Sequence, residues 1–202
     1  MTDAEDATHT GGDQPAPPQT PGPLADASVR TGRPNDAPAI GAVQAETFAA
    51  AYTDVLPAEA LEQFHPDAFA KVWRDGISAP PSPAHRVLVA CAGEQVVGFA
   101  ALGPSSDADE TLPAHSGELF LMCVHTAARR SGHGSRLLNA SADTLKAANF
   151  TVMTCWALAE GQDFLAFAAE SGLTTDGAWR DRVVSPDGAT VREVRLVAHL
   201  DG

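Results

Sequence analysis

The sequence predicts one mixed α/β domain whose sheet is largely antiparallel, with a strand–helix–strand unit at its middle. Three observations predict it. Short apolar runs bounded by Gly, Pro, Asn and Asp read as strands. Longer runs place apolar residues three and four apart, the period of a helix with one buried face. These segments follow in the order strand, helix, helix, three strands, helix, strand, helix, two strands, with no internal repeat.

Residues 1–27 stand apart. They carry Pro15, Pro17, Pro18, Pro21 and Pro23 with Gly11, Gly12 and Gly22, five acids and no Lys or Arg. Such a segment buries too little apolar surface to offset its ordering entropy, so a disordered, extended tail is expected there, and a folded domain over 28–202. Residues 28–33 suit an edge strand. Pro34-Asn35-Asp36 is a turn in which Asp36 can cap a helix over 39–51, where Ile40, Val43, Phe48 and Ala51 share a face. Pro57 suits the first turn of a second helix carrying Leu61, Phe64, Phe69, Val72 and Trp73, interrupted near Pro66. Pro80-Pro81-Ser82-Pro83 breaks the chain.

Residues 86–92 and 95–102 flank Gly93-Glu94 as a hairpin. After a polar loop, 118–124 is a third long apolar strand. The next helix turns Leu137, Leu138, Ala142 and Leu145 to one side and ends at Asn149. A strand over 151–158 and a helix over 162–171 follow, the helix stopped by Gly172. Strands over 174–184 and 191–200 finish the chain; the last alternates Val194, Leu196, Ala198 and Leu200 with Glu193, Arg195, Val197 and His199.

Bulk properties narrow the function. A formal net charge of -13 argues against binding a phosphate backbone, which needs clustered Lys and Arg, and makes a cationic partner such as an amine more natural. Cys91, Cys123 and Cys155 are far apart and form no C-x-x-C pair, so neither a zinc site nor a disulfide framework is suggested. They read as reduced core thiols, with Cys123 a candidate to line a ligand site. No apolar run approaches the ~20 residues of a membrane helix, and no secretory signal is evident, so the cytoplasm is the expected compartment.

Chemistry concentrates at Val124-His-Thr-Ala-Ala-Arg129-Arg130-Ser131-Gly132-His133-Gly134-Ser135-Arg136-Leu137-Leu138. A buried strand ends, a short loop follows, and a helix begins at the glycines. The first turn of a helix offers unpaired N–H groups and partial positive charge, which together make an anion site. Gly132 and Gly134 lack Cβ atoms and let a diphosphate approach the backbone. Arg129, Arg130 and Arg136 add charge in a chain with only 13 basic residues. No Gly-Lys-Ser/Thr follows, so this is not a P-loop, and Leu137 breaks the dinucleotide fingerprint.

Here the chain resembles the GNAT superfamily of N-acetyltransferases. Arg129-Arg-Ser-Gly132-His-Gly134 matches that family's Arg/Gln-x-x-Gly-x-Gly/Ala motif at every defined position, and Leu137-Leu138 matches the pair that follows. Val96-Val97-Gly98-Phe99 resembles the preceding strand, and Gly172-Leu173 with Asp176-Gly177 the closing Gly-Phe and later Gly. Ala51-Tyr52, Leu56-Pro57 and Trp73 are similar to a segment of some members. The likeness spans about 28–200. It implies a GNAT-like α/β fold: a mostly antiparallel six- to seven-stranded sheet, about four helices, and a central strand–loop–helix cofactor site.

The resemblance implies acetyl-CoA as co-substrate, without a metal. The backbone of Met122, Cys123 and Val124 would pair with the pantetheine arm, and one N–H would stabilise an oxyanion. Arg129, Arg130, Ser131, Gly132, His133, Gly134 and Ser135 would hold the pyrophosphate. Glu118 sits where several members place a carboxylate base; the alternative for it is a solvated strand-start residue. His115 and His125 are further base candidates. The implied reaction moves an acetyl group to a primary amine of a small molecule or peptide by direct attack, in a monomer or homodimer, with no nucleic-acid or membrane partner. Asp107, Asp109 and Glu110 could draw in a cationic amine, and Tyr52, Trp73 and Trp156 could line its cleft or be core.

The chain departs from the family at the acid. The usual Tyr four residues before the closing Gly is Ala168, and the Asn seven before that is Gly161. A thiolate leaves tolerably well, its free thiol pKa being ~8.5, so transfer without that acid is conceivable. The departure keeps open a non-catalytic acyl-CoA-binding sensor or interaction module, and beyond it a nucleotide-binding domain without coenzyme A specificity.

Overall fold

The computed structural model describes residues 27–107, 112–113, 115–185 and 188–200. The segment 1–26, Asp109 and Glu110 of the acidic loop, and Pro186-Asp187 lie outside the described residues. The described chain runs β1 (Ala27–Thr31), α1 (Ala37–Ala51), α2 (Ala58–Leu61), α3 (Pro66–Ser78), β2 (Arg86–Ala92), β3 (Gln95–Pro104), β4 (Ser116–Val124), α4 (His133–Ala147), β5 (Val152–Leu158), α5 (Gln162–Glu170), β6 (Thr174–Val183) and β7 (Thr190–His199). Short 3₁₀ turns precede α1 and follow β4.

The strands form one seven-stranded sheet in the order β1-β2-β3-β4-β5-β7-β6. Every pair is antiparallel except β4–β5. A parallel pair needs a crossover, and α4 supplies it. On α4's face of the sheet, Leu137 and Leu145 meet Leu102, Leu119, Met153, Cys155, Leu196 and, from α5, Ala168. On the opposite face α1 lays Ile40 and Val43 on Val89, Cys91, Phe99 and Cys123. A smaller cluster of Tyr52, Leu56 and Val191 joins the end of α1 to β7. All three cysteines are free and buried, and burial pushes the Cys123 thiol up to about 11 and the Cys155 thiol to about 12.

Several expectations shift at their edges. Ala27, assigned to the tail, is the first residue of β1 and pairs with Ala92. Asp36 does not cap α1: its backbone is already helical, and its carboxylate accepts from both Arg30 terminal nitrogens (2.7 and 2.8 Å) and from the Arg33 amide (2.7 Å). The interrupted second helix is two helices, and the longer starts at Pro66, whose missing N–H costs nothing at a helix start. That makes five helices among the described residues, where about four were expected. No described helix is long and apolar enough to cross a membrane.

A glycine sets one close approach. A Cβ on Gly41 of α1 would lie 2.4 Å from Pro66 O and 2.7 Å from Ala70 N, so α1 and α3 touch backbone to backbone. Asn149 and Gly172 take positive φ (65° and 89°) just past α4 and α5, the left-handed stop their sequence positions predict.

Candidate active site

Strands β4 and β5 separate soon after they meet. Their parallel register covers only Ser116↔Val152, Gly117↔Met153 and Glu118↔Thr154. Beyond Glu118, β4 keeps β3 on one side and has no strand on the other among the described residues, while β5 continues beside β7. A bulge marks the parting: Ala101 pairs with Leu121 and Leu102 with Leu119, leaving Phe120 as the extra residue, 42% exposed.

Backbone groups alternate from side to side along a strand. His125 donates to Val97 O on β3 at 2.9 Å, so Cys123 also turns its backbone toward β3. Met122 and Val124 turn theirs to the opening, and Val124 O there meets Arg129 Nε at 3.4 Å. The side chain of Cys123 is buried among Ile40, Val43 and Phe99. Of the expected trio, Met122 and Val124 therefore face the opening, and Cys123 faces neither way into it.

The loop after β4 delivers the chain to α4. Arg130 has φ 60°, unusual for a residue with a side chain, and Gly132 has φ 80° as the residue before α4. Strained backbone of this kind clusters at ligand clamps. Arg136 N donates to Gly132 O at 3.1 Å, the first bond of the helix, so the amides of His133, Gly134 and Ser135 precede the ladder. A Cβ on Gly134 would find only ordinary contacts, the nearest being the Phe167 ring at 3.5 Å. Arg136 Nη1 donates back to Ser131 O at 3.3 Å. His133 is buried with Nδ1 lacking a hydrogen-bond partner among the described residues, and burial and then Arg136 hold its pKa below the usual imidazole value.

Glu118 lies at the other end of the opening. Its neighbour Leu119 belongs to the core on α4's face, so its own side chain projects from the opposite face, as do Trp156 beside Cys155 and Arg195 beside Leu196. There it borders a cleft of about 440 Å³ with Asp107, Trp156, Trp179, Arg180 and Arg195. Glu118 is 8% exposed and accepts a hydrogen bond from Ser105 Oγ at 3.1 Å. Burial pushes its carboxyl above the ordinary carboxylate value, opposed by the Ser105 bond and by the charge of Arg180.

An ion-pair lattice forms the cleft wall. Arg195, 2% exposed, donates to Asp176 at 2.7 Å and to Asp107 at 3.0 Å. Glu193 accepts from Arg180 and Arg182 at 2.7 Å each. Arg180 stacks over Trp156, its guanidinium 4.2 Å from the ring centroid. Asp107 thus ties the β3–β4 connection to β7, and a cationic amine meets Asp107 already paired with Arg195.

Other candidates fall elsewhere. His125 is ion-paired with Glu46 of α1 at 2.7 Å, at the end of β4 remote from Glu118. Glu46 also accepts from the Thr126 hydroxyl and amide, which with His125 lower its pKa. His115 is exposed at the start of β4. Trp73 is core, edge-on to Phe99 and donating to Gln44 at 2.6 Å, and Tyr52 is buried with its hydroxyl bonded to Arg182. Only Trp156 of the three aromatic candidates lines the cleft. Ala168 is fully buried. Sequence reasoning missed Arg180, Arg195, Glu193, Asp176, Ser105 and Glu46. For Arg195 and Glu193 the signal was there: charged residues on the alternate face of a closing strand that a buried partner must neutralise.

Known proteins share this fold. Among solved structures the chain is similar to yncA of Salmonella typhimurium with its cofactor acetyl-CoA (18% identity, 87% of this chain and 94% of that one, TM-score 0.62). It is also similar to the PaiA N-acetyltransferase of Thermoplasma acidophilum in complex with coenzyme A (15%, 83% and 98%, 0.63). A third is the ribosomal-protein-alanine N-acetyltransferase of Brucella melitensis (21%, 85% and 99%, 0.63). At these identities the likeness is one of fold. A sequence search of curated proteins finds no match. The model of the acetyltransferase (GNAT) family matches residues 47–172, from within α1 to the Gly that stops α5. With the splayed β4–β5 pair and the α4 loop inside that span, this chain belongs to the GNAT acetyltransferase family.

Proposed function

We propose that the protein is an acetyl-CoA-dependent N-acetyltransferase that acylates a primary amine by direct attack, with Glu118 as general base. One observation carries the reading: β4 loses its β5 partner just past the buried carboxylate of Glu118, and the β4 edge beyond it leads to the amides that begin α4. The backbone of Met122 and Val124 pairs with the amide-bearing arm of the cofactor. The amides from Arg130 to Ser135, with Arg129 and Arg130, hold its pyrophosphate. Bound there, acetyl-CoA supplies an activated thioester.

The residues of the chain do the rest. A lysine-like amine has a pKa near ~10 and is mostly protonated at neutral pH. Glu118 takes that proton, directly or through water, and burial makes it a stronger base than an exposed carboxylate. Ser105 holds the carboxylate in place. A freed β4 amide is available to hold the negative charge that develops on the attacked carbonyl. Departure of the thiolate without a tyrosine relies on solvent or on the cleft.

Ala168, fully buried where a hydroxyl was expected, favours a second reading in which the domain binds acyl-CoA without turning it over. One sequence of measurements separates the two: calorimetric titration with acetyl-CoA, then thiol release across amines, peptides and aminoglycosides. Transfer predicts binding and coenzyme A release with some amine. Binding with no release across the panel gives the sensor, and no binding at millimolar acetyl-CoA sinks both.

A further inference from the structure

The geometry points to an acceptor that carries a carboxylate close to its amine, an amino-acid-type zwitterion whose anion docks on Arg180; this rests on the cleft at Glu118 being the acceptor site. Arg180 is held from behind. Its Nε donates to Glu193, itself buried, at 2.7 Å, and its plane lies over Trp156. Its two terminal nitrogens donate to nothing among the described residues, and the side chain is 46% exposed into the cleft that Glu118 shares. A guanidinium fixed at Nε and stacked on an aromatic face presents a planar two-donor edge, the shape that matches a carboxylate.

The described charges agree. Asp107 and Asp176 both accept from Arg195, and Glu193 accepts from Arg180 and Arg182. Glu118 accepts from Ser105 and, among the described residues, from no arginine. A bare polyamine gains nothing from Arg180 and is repelled by it. A dianion meets Glu118 and Asp107 in the cleft lining, with Asp176 and Glu193 behind them. A zwitterion places its ammonium at Glu118 and its carboxylate at Arg180, and leaves the balance unchanged.

The test uses matched acceptors with the full chain: phenylalanine, phenylalaninamide and phenethylamine, and methionine with its amide and decarboxylated amine. Coenzyme A release gives kcat/KM for each. The amino acid is expected to exceed its amide and amine roughly ten- to hundredfold, the worth of a bidentate charge-assisted pair. Arg180→Gln collapses that ratio toward one, and Arg180→Lys, which keeps charge but not the fork, falls between. Equal use of acid and amide, or a ratio that survives Arg180→Gln, overturns the proposal. If no acceptor releases coenzyme A, the transferase reading fails by itself. The subsite is then judged by calorimetry with N-acetylphenylalanine against N-acetylphenethylamine in the presence of coenzyme A. Carboxylate-dependent binding lost in Arg180→Gln upholds it, and equal or absent binding overturns it.

Discussion

Replacing Glu118 with Gln changes one property and keeps the shape. Gln is isosteric and can still accept from Ser105 Oγ, now 3.1 Å from Oε2, so the cleft and the sheet register stay as they are. What is lost is the ability to take a proton. A positioned base is worth roughly 10²–10⁴-fold, so kcat for the best amine falls by about that factor while acetyl-CoA affinity, set at the other end of the opening, holds. Stability moves the opposite way. Burial raises the Glu118 pKa in the folded protein above its unfolded value of about 4.5. Its contribution to stability is complete below that pH and is lost as pH rises through the folded value, because the buried charge then opposes folding. The Gln variant carries no such charge. Its melting temperature therefore equals the parent's near pH 4 and exceeds it at pH 8. The gap grows with pH, and 1 kcal/mol moves the midpoint of a domain this size by about 2–4 °C. Steady-state thiol release and scanning calorimetry across that pH range read both effects. A variant that keeps more than about half of kcat, the threshold being a small fraction of the expected effect, refutes Glu118 as base. A stability difference that does not grow with pH refutes the raised pKa.

Three further outcomes are expected. Gly134→Glu has room for its Cβ beside Phe167 and should fold, but it sets a carboxylate at the first turn of α4. Acetyl-CoA affinity by calorimetry should drop at least about tenfold, the worth of one charge-assisted bond. Arg130→Gly relieves a positive φ that costs a side-chain-bearing residue about 1–2 kcal/mol, so the melting temperature rises while acetyl-CoA binding weakens with the lost cation. Gly41→Ala drives a methyl into Pro66 O and Ala70 N. Denaturant unfolding should show a loss of about 1–3 kcal/mol, because rigid backbone rather than a side-chain tip must give way.

Much of this protein is legible as a string. Apart from the second helix, which is two, the strand and helix order reads correctly because each element carries its own period and its own stop, down to Asn149 and Gly172 at positive φ. The strand end, glycines and helix start around α4 read correctly because they are consecutive residues, and the anion site proposed there uses local backbone alone. Asp36 misleads because a cap and an ion pair use the same atoms, and Arg30, not the helix, claims them.

The acceptor side is different. Glu118 can be suspected from its place before an apolar strand, but its burial, its Ser105 bond and its raised pKa come from β3, β5 and β6 closing around it. Arg180, Glu193 and Arg195 lie 62 to 77 positions further along the chain. They reach the same cleft only because β7 inserts between β5 and β6. No local period encodes that insertion. The sequence by itself determined the fold class and the strand–loop–helix segment proposed for the diphosphate, since element type and that segment are written in contiguous residues. Only the tertiary structure decided which charges meet over Trp156, because long-range strand pairing chooses neighbours that the order of residues does not reveal.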